Sequence, residues 1–435
     1  MKNIFTKIIS AVLMTALLLT SASCTLKVPG AGNTSDVTTG SVIKAAVSYK
    51  ATLTAQKIAA FPDAFVSGMN QYGWTVASGL YNGENLAISP VSLELAILMT
   101  RTGAAGATAD EMKTALSMSA LSDEDILLAC RQLMWRANTN GMETANSIWM
   151  EKDYSFSDTF IKSCTDNFMT DAYTVDFIKD AAGATDSINT WASDKTHGKI
   201  PEMNPNPLSA DTRLVLINAL YFLGDWEIPF MSDNSYDQVF YGAQKDASVK
   251  FMHDTRNMLY AETSSYQMIS LPFKGTAENA DSPYSMAFIL PSEGQYVTDV
   301  MKELAADGFA AAAADLADAK VQLALPKYEF TFDASMQKTM QSLGMKLAFD
   351  PEKAQFDGMT GAANDLFISD ILHKCYIRVD EEGAEAAAVT EVIMETTAMP
   401  VEEDLKRFNA DRPFLFAIYD ETDSTVLFLG AVGQL

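Results

Sequence analysis

Glu381-Glu382-Gly383-Ala384-Glu385-Ala386-Ala387-Ala388-Val389-Thr390-Glu391-Val392-Ile393-Met394 does not settle on one secondary structure. Its first half is Ala and Glu, both good helix formers. Its second half, residues 389–393, is rich in β-branched side chains and suits a strand. Gly383 supplies a pivot at the front, and the small side chains after it can slide between crowded strands. Local preferences that disagree in this way mark functional segments.

Around this segment the chain reads as mixed helix and sheet. Ser89-Pro90 starts a helix, with Ser as cap and Pro at the first helical position. Val91, Leu95, Leu98 and Met99 then share one face. Asp333 is expected to cap a second helix with Met336, Met340 and Leu343 on its apolar side and Gly344 as its stop. Continuous apolar runs at 214–222, 285–290, 321–325, 414–419 and 426–429 predict strands buried on both faces. Helices dominate the first third and strands crowd in after Leu214, with no linker-like break. The fold class is α+β.

The N-terminus reads as an address. Lys2 and Lys7 precede a mostly apolar run at 8–19, too short to span a bilayer but suited to a signal-peptide core. Small residues Ser21-Ala22-Ser23 lead to Cys24, which resembles a bacterial lipoprotein site, although Ser21 stands where Leu is usual. The expectation is a signal peptide at 1–23, a flexible tether at 24–53 with a lipid anchor on Cys24, and a folded domain at 54–435. The protein is then exported, either as a cell-surface lipoprotein or as a secreted chain.

Composition excludes several functions. With 56 acidic against 31 basic residues the chain carries a formal charge of −25. It has no basic block longer than Lys406-Arg407, so nucleic acid, heparin and anionic lipid are poor partners. There is no nucleophile elbow, phosphate loop, zinc-binding H-E-x-x-H or C-x-x-C motif. The histidines His197, His253 and His373 stand apart, so neither a metal site nor a cofactor is expected. Cys130, Cys164 and Cys375 lie in apolar surroundings and read as inert thiols. The chain does not read as an enzyme.

Asn85-Leu86-Ala87-Ile88-Ser89-Pro90-Val91-Ser92, Ile188-Asn189-Thr190-Trp191 with Thr196-His197-Gly198-Lys199-Ile200, and Leu216-Ile217-Asn218-Ala219-Leu220-Tyr221-Phe222 with Gly224 and Trp226 follow one another along the chain. Leu325-Pro326-Lys327, Phe408-Asn409-Ala410-Asp411-Arg412-Pro413-Phe414-Leu415-Phe416 and Phe428-Leu429-Gly430 come after them. In these motifs and their order the chain resembles a serpin over roughly 54–435. The resemblance implies helices packed on three β-sheets, a large central sheet, and an exposed reactive loop at about 381–405. It implies a monomeric suicide substrate that covalently traps a serine protease when its cleaved loop inserts into the central sheet. A non-inhibitory, binding or chaperone-like serpin is the alternative.

Residue roles follow from the same resemblance. Glu381, Gly383, Ala384, Ala386 and Ala388 match the hinge, with Ala384 in place of the usual Thr or Ser. Glu381 matches the glutamate that pairs with a lysine, here Lys327, as an exposed pair. Ser89, Ser92, Asn218 and His373 match the hydrogen-bonded gate under the sheet, and Trp226 the aromatic where insertion begins. Counting along the loop places the scissile bond at Thr397–Ala398, then Ala398–Met399. Met399–Pro400 is disfavoured because Pro follows the bond. A small residue before the cut suits an elastase-like pocket, and 394–403 holds no Lys or Arg to answer the buried acid of a trypsin-like one.

Overall fold

The structure, a computed structural model, describes residues 62–139, 142–204, 206–222, 224–275, 282–361, 366–384 and 405–435. The leader, the tether, Cys24, Ala386, Ala388, Thr397, Ala398 and Met399 lie outside these residues.

Among the described residues before 200 helices prevail: Asp63–Leu80, Pro90–Arg101, Gly106–Ala115, Asp123–Thr139, Asp158–Phe168 and Ala181–Lys195. Short helices Val297–Glu303, Phe309–Ala314, Gln337–Ser342 and Asp357–Thr360 follow among the strands. Ser89 caps as the sequence predicts: its Oγ accepts from the Ser92 N–H at 3.1 Å, and Pro90 opens the helix. Asp333 does not cap. It lies inside the strand Tyr328–Ser335, and its exposed carboxylate faces Lys374 at 3.9 Å. The helix after it begins only at Gln337, from Met336, without a side-chain cap. Alternating Phe330, Phe332 and Ala334 carry the extended chain past the predicted start. Gly344, at φ +102°, is the stop.

In chain order the strands are β1 (Leu86–Ile88), β2 (Met142–Glu151), β3 (Thr170–Val175), β4 (Leu214–Phe222), β5 (Gly224–Asp225), β6 (Ser235–Tyr241), β7 (Asp246–Glu262), β8 (Tyr266–Pro272), β9 (Tyr284–Pro291), β10 (Ala317–Pro326), β11 (Tyr328–Ser335), β12 (Leu372–Val379), β13 (Gly383–Ala384), β14 (Lys406–Asn409), β15 (Phe414–Asp420) and β16 (Val426–Val432). Nine of them form one large sheet in the order β1-β16-β15-β9-β8-β7-β10-β14, with β6 on β7. Among its described strands, β10 and β14 form the one parallel pair. Every residue of β9, β15 and β16 is buried, which is why these runs lack polar alternation. Each large apolar side chain buried there contributes about 1.5–3 kcal/mol, making this sheet and the helices Asp63–Leu80 and Pro90–Arg101 against it the rigid centre of the molecule.

The remaining strands make three smaller sets: β3-β2-β4, β11-β12 and β13-β5. The described strands thus fall into four hydrogen-bonded sets, where three sheets were expected. The division comes from β4 and β12, which share no ladder among the described residues. For the same reason β4 is not buried on both faces: Leu214, Val215 and Leu216 are only half-buried. A second apolar cluster, built on Trp149, Phe177, Ile188, Trp191 and Ile217, seats the helix Ala181–Lys195 against the three-stranded sheet. Trp149 stacks on Tyr173 at 4.2 Å within it.

Candidate functional site

Between β4 and β12 lies a cavity of about 470 Å³. Leu214 to Asn218 line one wall, and residues Leu366 to Lys374 the other. Its floor is Ser92, Leu93, Ala96 and Thr100 of the helix Pro90–Arg101, and Ile188 and Met203 close it from the side of the helix Ala181–Lys195. Among the described residues β4 pairs only with β2, and β12 only with β11. Each therefore presents one unpaired backbone edge, a template for a further extended chain.

At the upper end the chain leaves β12, turns through residues 380–382 and re-enters as β13. Gly383 pairs with Asp225 and Ala384 with Gly224, antiparallel. Gly383 is needed here for close approach rather than for a pivot. A Cβ on it would sit 2.1 Å from the Gly224 carbonyl oxygen and 2.8 Å from Asp225 Cα. Ala384 is 4% exposed. With Ile200, Phe222, Ile377, Ile418 and Phe428 it lines a second cavity of only about 20 Å³, room for little more than one water.

Trp226 holds this corner. Its ring is buried and stacks on Phe273 at 4.9 Å, with the planes 8° apart. Its backbone N–H donates to the Glu382 carbonyl at 2.8 Å, and its indole Nε1–H to the Asp380 carbonyl at 2.9 Å. Lys327 Nζ lies 2.5 Å from Glu381 Oε2. The pair is less open than expected, the Glu381 side chain being 13% exposed and that of Lys327 37%. Burial raises the Glu381 carboxyl, but its polar neighbours, the hydrogen bond from Lys327 first among them, together outweigh this and leave its pKa below the ordinary value.

Four residues named from the sequence meet beneath the cavity. Ser89 Oγ donates to the Leu427 carbonyl at 2.8 Å, and the Ser89 N–H donates to His373 Nε2 at 3.1 Å. Ser92 Oγ donates to the Asn218 carbonyl at 3.4 Å. They do not form a closed ring of side chains. Asn218 Nδ2 donates instead to Asn146 Oδ1 at 2.5 Å, and Asn218 Oδ1 is buried without a partner among the described residues. His373 is 4% exposed, and burial pulls its pKa down to about 4, so it is neutral at physiological pH. Cys375 Sγ lies 3.2 Å from His373 Nε2, so this histidine does not stand apart from cysteine. Burial pushes the Cys375 and Cys164 thiols up to about 12 and the Cys130 thiol also upward, which leaves all three protonated.

Three contributors were not singled out from the sequence. Asn146, inside β2, completes the polar set under the cavity. Asp380, directly before the ambivalent segment, anchors the turn. Glu94, in the helix under the cavity, is buried at 2% exposure with neither carboxyl oxygen partnered among the described residues. Only Asp380 carried a signal, as a turn-forming residue three positions before Gly383. No group of three or more His, Cys, Asp or Glu among the described residues could hold a metal ion.

An α+β body with an open slot between two strand edges, and a segment folded into its mouth, is an architecture for taking up a strand. Residues 68–435 match the sequence profile of the serpins (serine protease inhibitor). An uncharacterised serpin-like protein of Thermococcus kodakarensis is 32% identical over 353 residues, covering 80% of each chain. The leukocyte elastase inhibitor of Xenopus laevis is 31% identical over 357 residues, covering 80% of this chain and 92% of its own. The native crystal structure of tengpin, a thermophilic serpin, matches with a TM-score of 0.78 at 30% identity, covering 87% of this chain and 96% of that one. The chain belongs to the serpin (serine protease inhibitor) family, whose members are not enzymes.

Proposed function

We propose that this serpin is inhibitory and covalently traps an elastase-like serine protease. The observation that carries the reading is the unfilled slot between β4 and β12 with Gly383 and Ala384 already paired at its mouth. Continuing that register down β4 places Ala386 opposite Phe222 and Met394 opposite Leu214, so the ambivalent segment matches the strand in length. Inward positions then carry Ala384, Ala386 and Ala388, which add little bulk.

The reaction belongs to the protease. Its serine oxygen attacks the Thr397 carbonyl, the Thr397–Ala398 bond breaks, and the new amino terminus at Ala398 takes up the proton relayed from that serine. The acyl-enzyme ester remains on Thr397. Insertion of the freed segment draws the attached protease along before water can hydrolyse the ester. A small residue before the cut supports an elastase-like target, as does the likeness to a leukocyte elastase inhibitor.

The test is incubation with pancreatic elastase, followed by a denaturing gel and a heat challenge of the loop-cleaved protein. A denaturant-resistant complex and a gain of heat resistance on cleavage are expected. Cleavage with neither would remove the inhibitory reading in favour of a non-inhibitory binding protein. We further propose export with a lipid on Cys24. Cys24→Ser should move the protein from the membrane to the soluble fraction, and equal membrane association of both forms would discard the anchor.

A further inference from the structure

Asp380 is the most heavily bonded residue of the hinge corner. It is 5% exposed. Its N–H donates to the Gly383 carbonyl at 3.1 Å, while its own carbonyl accepts from the Trp226 indole. Its Oδ1 accepts from the backbone N–H of Glu382 at 3.0 Å and, more weakly, of Gly383 at 3.4 Å. Its Oδ2 pairs with Arg378 Nη2. A side chain that accepts from the N–H groups two and three residues ahead fixes a turn locally, before any ladder forms beyond it.

The Phe230 N–H donates to the Glu381 carbonyl at 2.8 Å, so the three carbonyls from 380 to 382 are all held by the segment that follows β5. The turn joining β12 to β13 is therefore complete while the slot beyond it is unfilled.

We propose that Asp380 is a positioning residue for inhibition: its carboxylate keeps this turn formed, so that the cleaved loop enters the slot by extending an existing reversal of the chain. This inference rests on the inhibitory reading above. Insertion races deacylation, and nucleating a reversal first costs chain entropy before any ladder bond repays it. A turn already closed removes that delay. The turn-holding oxygen is Oδ1, so the role belongs to the acceptor and its placement, and the charge pairing with Arg378 is secondary.

The experiment compares wild type with Asp380→Ala, Asp380→Asn, Asp380→Glu and Arg378→Gln against pancreatic elastase. It reads how many inhibitor molecules are consumed per protease trapped, together with the unfolding midpoint and the heat resistance of the cleaved form. Losing both Oδ1 hydrogen bonds should slow insertion about tenfold, so Asp380→Ala should be cleaved largely as a substrate. Asp380→Glu moves the carboxylate one methylene away and should behave similarly. Asp380→Asn keeps the Oδ1 acceptor and should trap protease as wild type does, and Arg378→Gln should change little. A purely structural role would shift the unfolding midpoint and leave the consumption ratio unchanged.

Wild-type consumption by both Asp380→Ala and Asp380→Glu, or an Asp380→Asn as impaired as Asp380→Ala, would overturn the inference. The two failures separate cleanly. If wild type neither traps elastase nor gains heat resistance on cleavage, the inhibitory reading falls and takes this inference with it. If wild type does both and the variants match it, only the role of Asp380 falls.

Discussion

The Ser89 backbone N–H donates to His373 Nε2 across 3.1 Å, tying the start of the helix under the slot to β12, one of the slot's two walls. On the opposite wall Ser92 Oγ reaches the carbonyl of Asn218 in β4. One helix end thus touches both strands that border the slot. Changes in that helix or its partners should register in stability and in trapping together.

The His373 bond should make stability depend on acid. Nε2 accepts from Ser89, so protonation there sets a new donor against an existing one. Unfolded, the imidazole takes its proton near 6.5; folded, burial delays this to about 4. Stability should be full above 6.5, fall as pH drops from 6.5 to 4, and level off below, by up to about 3 kcal/mol. Thermal midpoints of wild type and His373→Gln across that range test it. The variant should start lower and lack the part of the slope that separates the two curves.

Glu94 should act with the opposite sign. Tyr72 of the helix Asp63–Leu80 and Cys130 of the helix Asp123–Thr139 face it, and burial raises its pKa well above 4.5. The unfolded chain releases this proton at lower pH than the folded one. Stability should therefore be full below 4.5 and decline as pH rises towards the folded-state pKa. Glu94→Met, apolar and similar in size, should stabilise by about 2 kcal/mol at pH 8, with the gain shrinking towards pH 4.5. Urea midpoints at pH 5 and pH 8 decide it, and a variant weaker than wild type at pH 8 would mean that the native acid is satisfied.

Ala384→Arg should convert inhibitor to substrate. The side chain would enter a space of about 20 Å³ walled by Phe222, Ile377 and Ile418, and an unpaired buried guanidinium costs several kcal/mol. Elastase should still cleave the loop, but the denaturant-resistant band should vanish. Trapping at wild-type stoichiometry would contradict the placement of this residue at the mouth.

Thr397→Arg should redirect the protein to trypsin. Thr leaves the acid of a trypsin-like pocket unpaired, and restoring a charge partner there is worth several kcal/mol in the transition state. Wild type should trap elastase and leave trypsin nearly untouched. A gain from Ala398→Arg and not from Thr397→Arg would move the bond one residue on.

Much of the fold was legible because its rigid centre obeys local rules. Phe414 to Tyr419 and Val426 to Leu429 are strands buried on both faces, and a run without polar alternation is what such burial requires. Ser89-Pro90 announced its helix by side-chain chemistry alone. Asp333 misled because a capping residue before a helical pattern is also compatible with a strand that runs two residues further. Glu94 escaped notice because an acid in an apolar helix is ordinarily placed on the solvent side. Tyr72 and Cys130, which lie on other helices, face it only in the folded chain. The slot itself could not be read locally: nothing in Leu214 to Asn218 says that a neighbour is missing. The pairing of Gly383 with Asp225 likewise depends on the backbone spacing between segments more than 150 residues apart.

The space between β4 and β12 bears on supply as well as on chemistry. It is bounded by two strand edges and offers a berth for one strand. A chain that fills it with its own loop has no second berth and no second loop. On the inhibitory reading, protection by this protein is counted in molecules and not in turnovers. Its capacity is set by how much is made and where it is held, and each encounter, productive or wasted, draws that stock down by one.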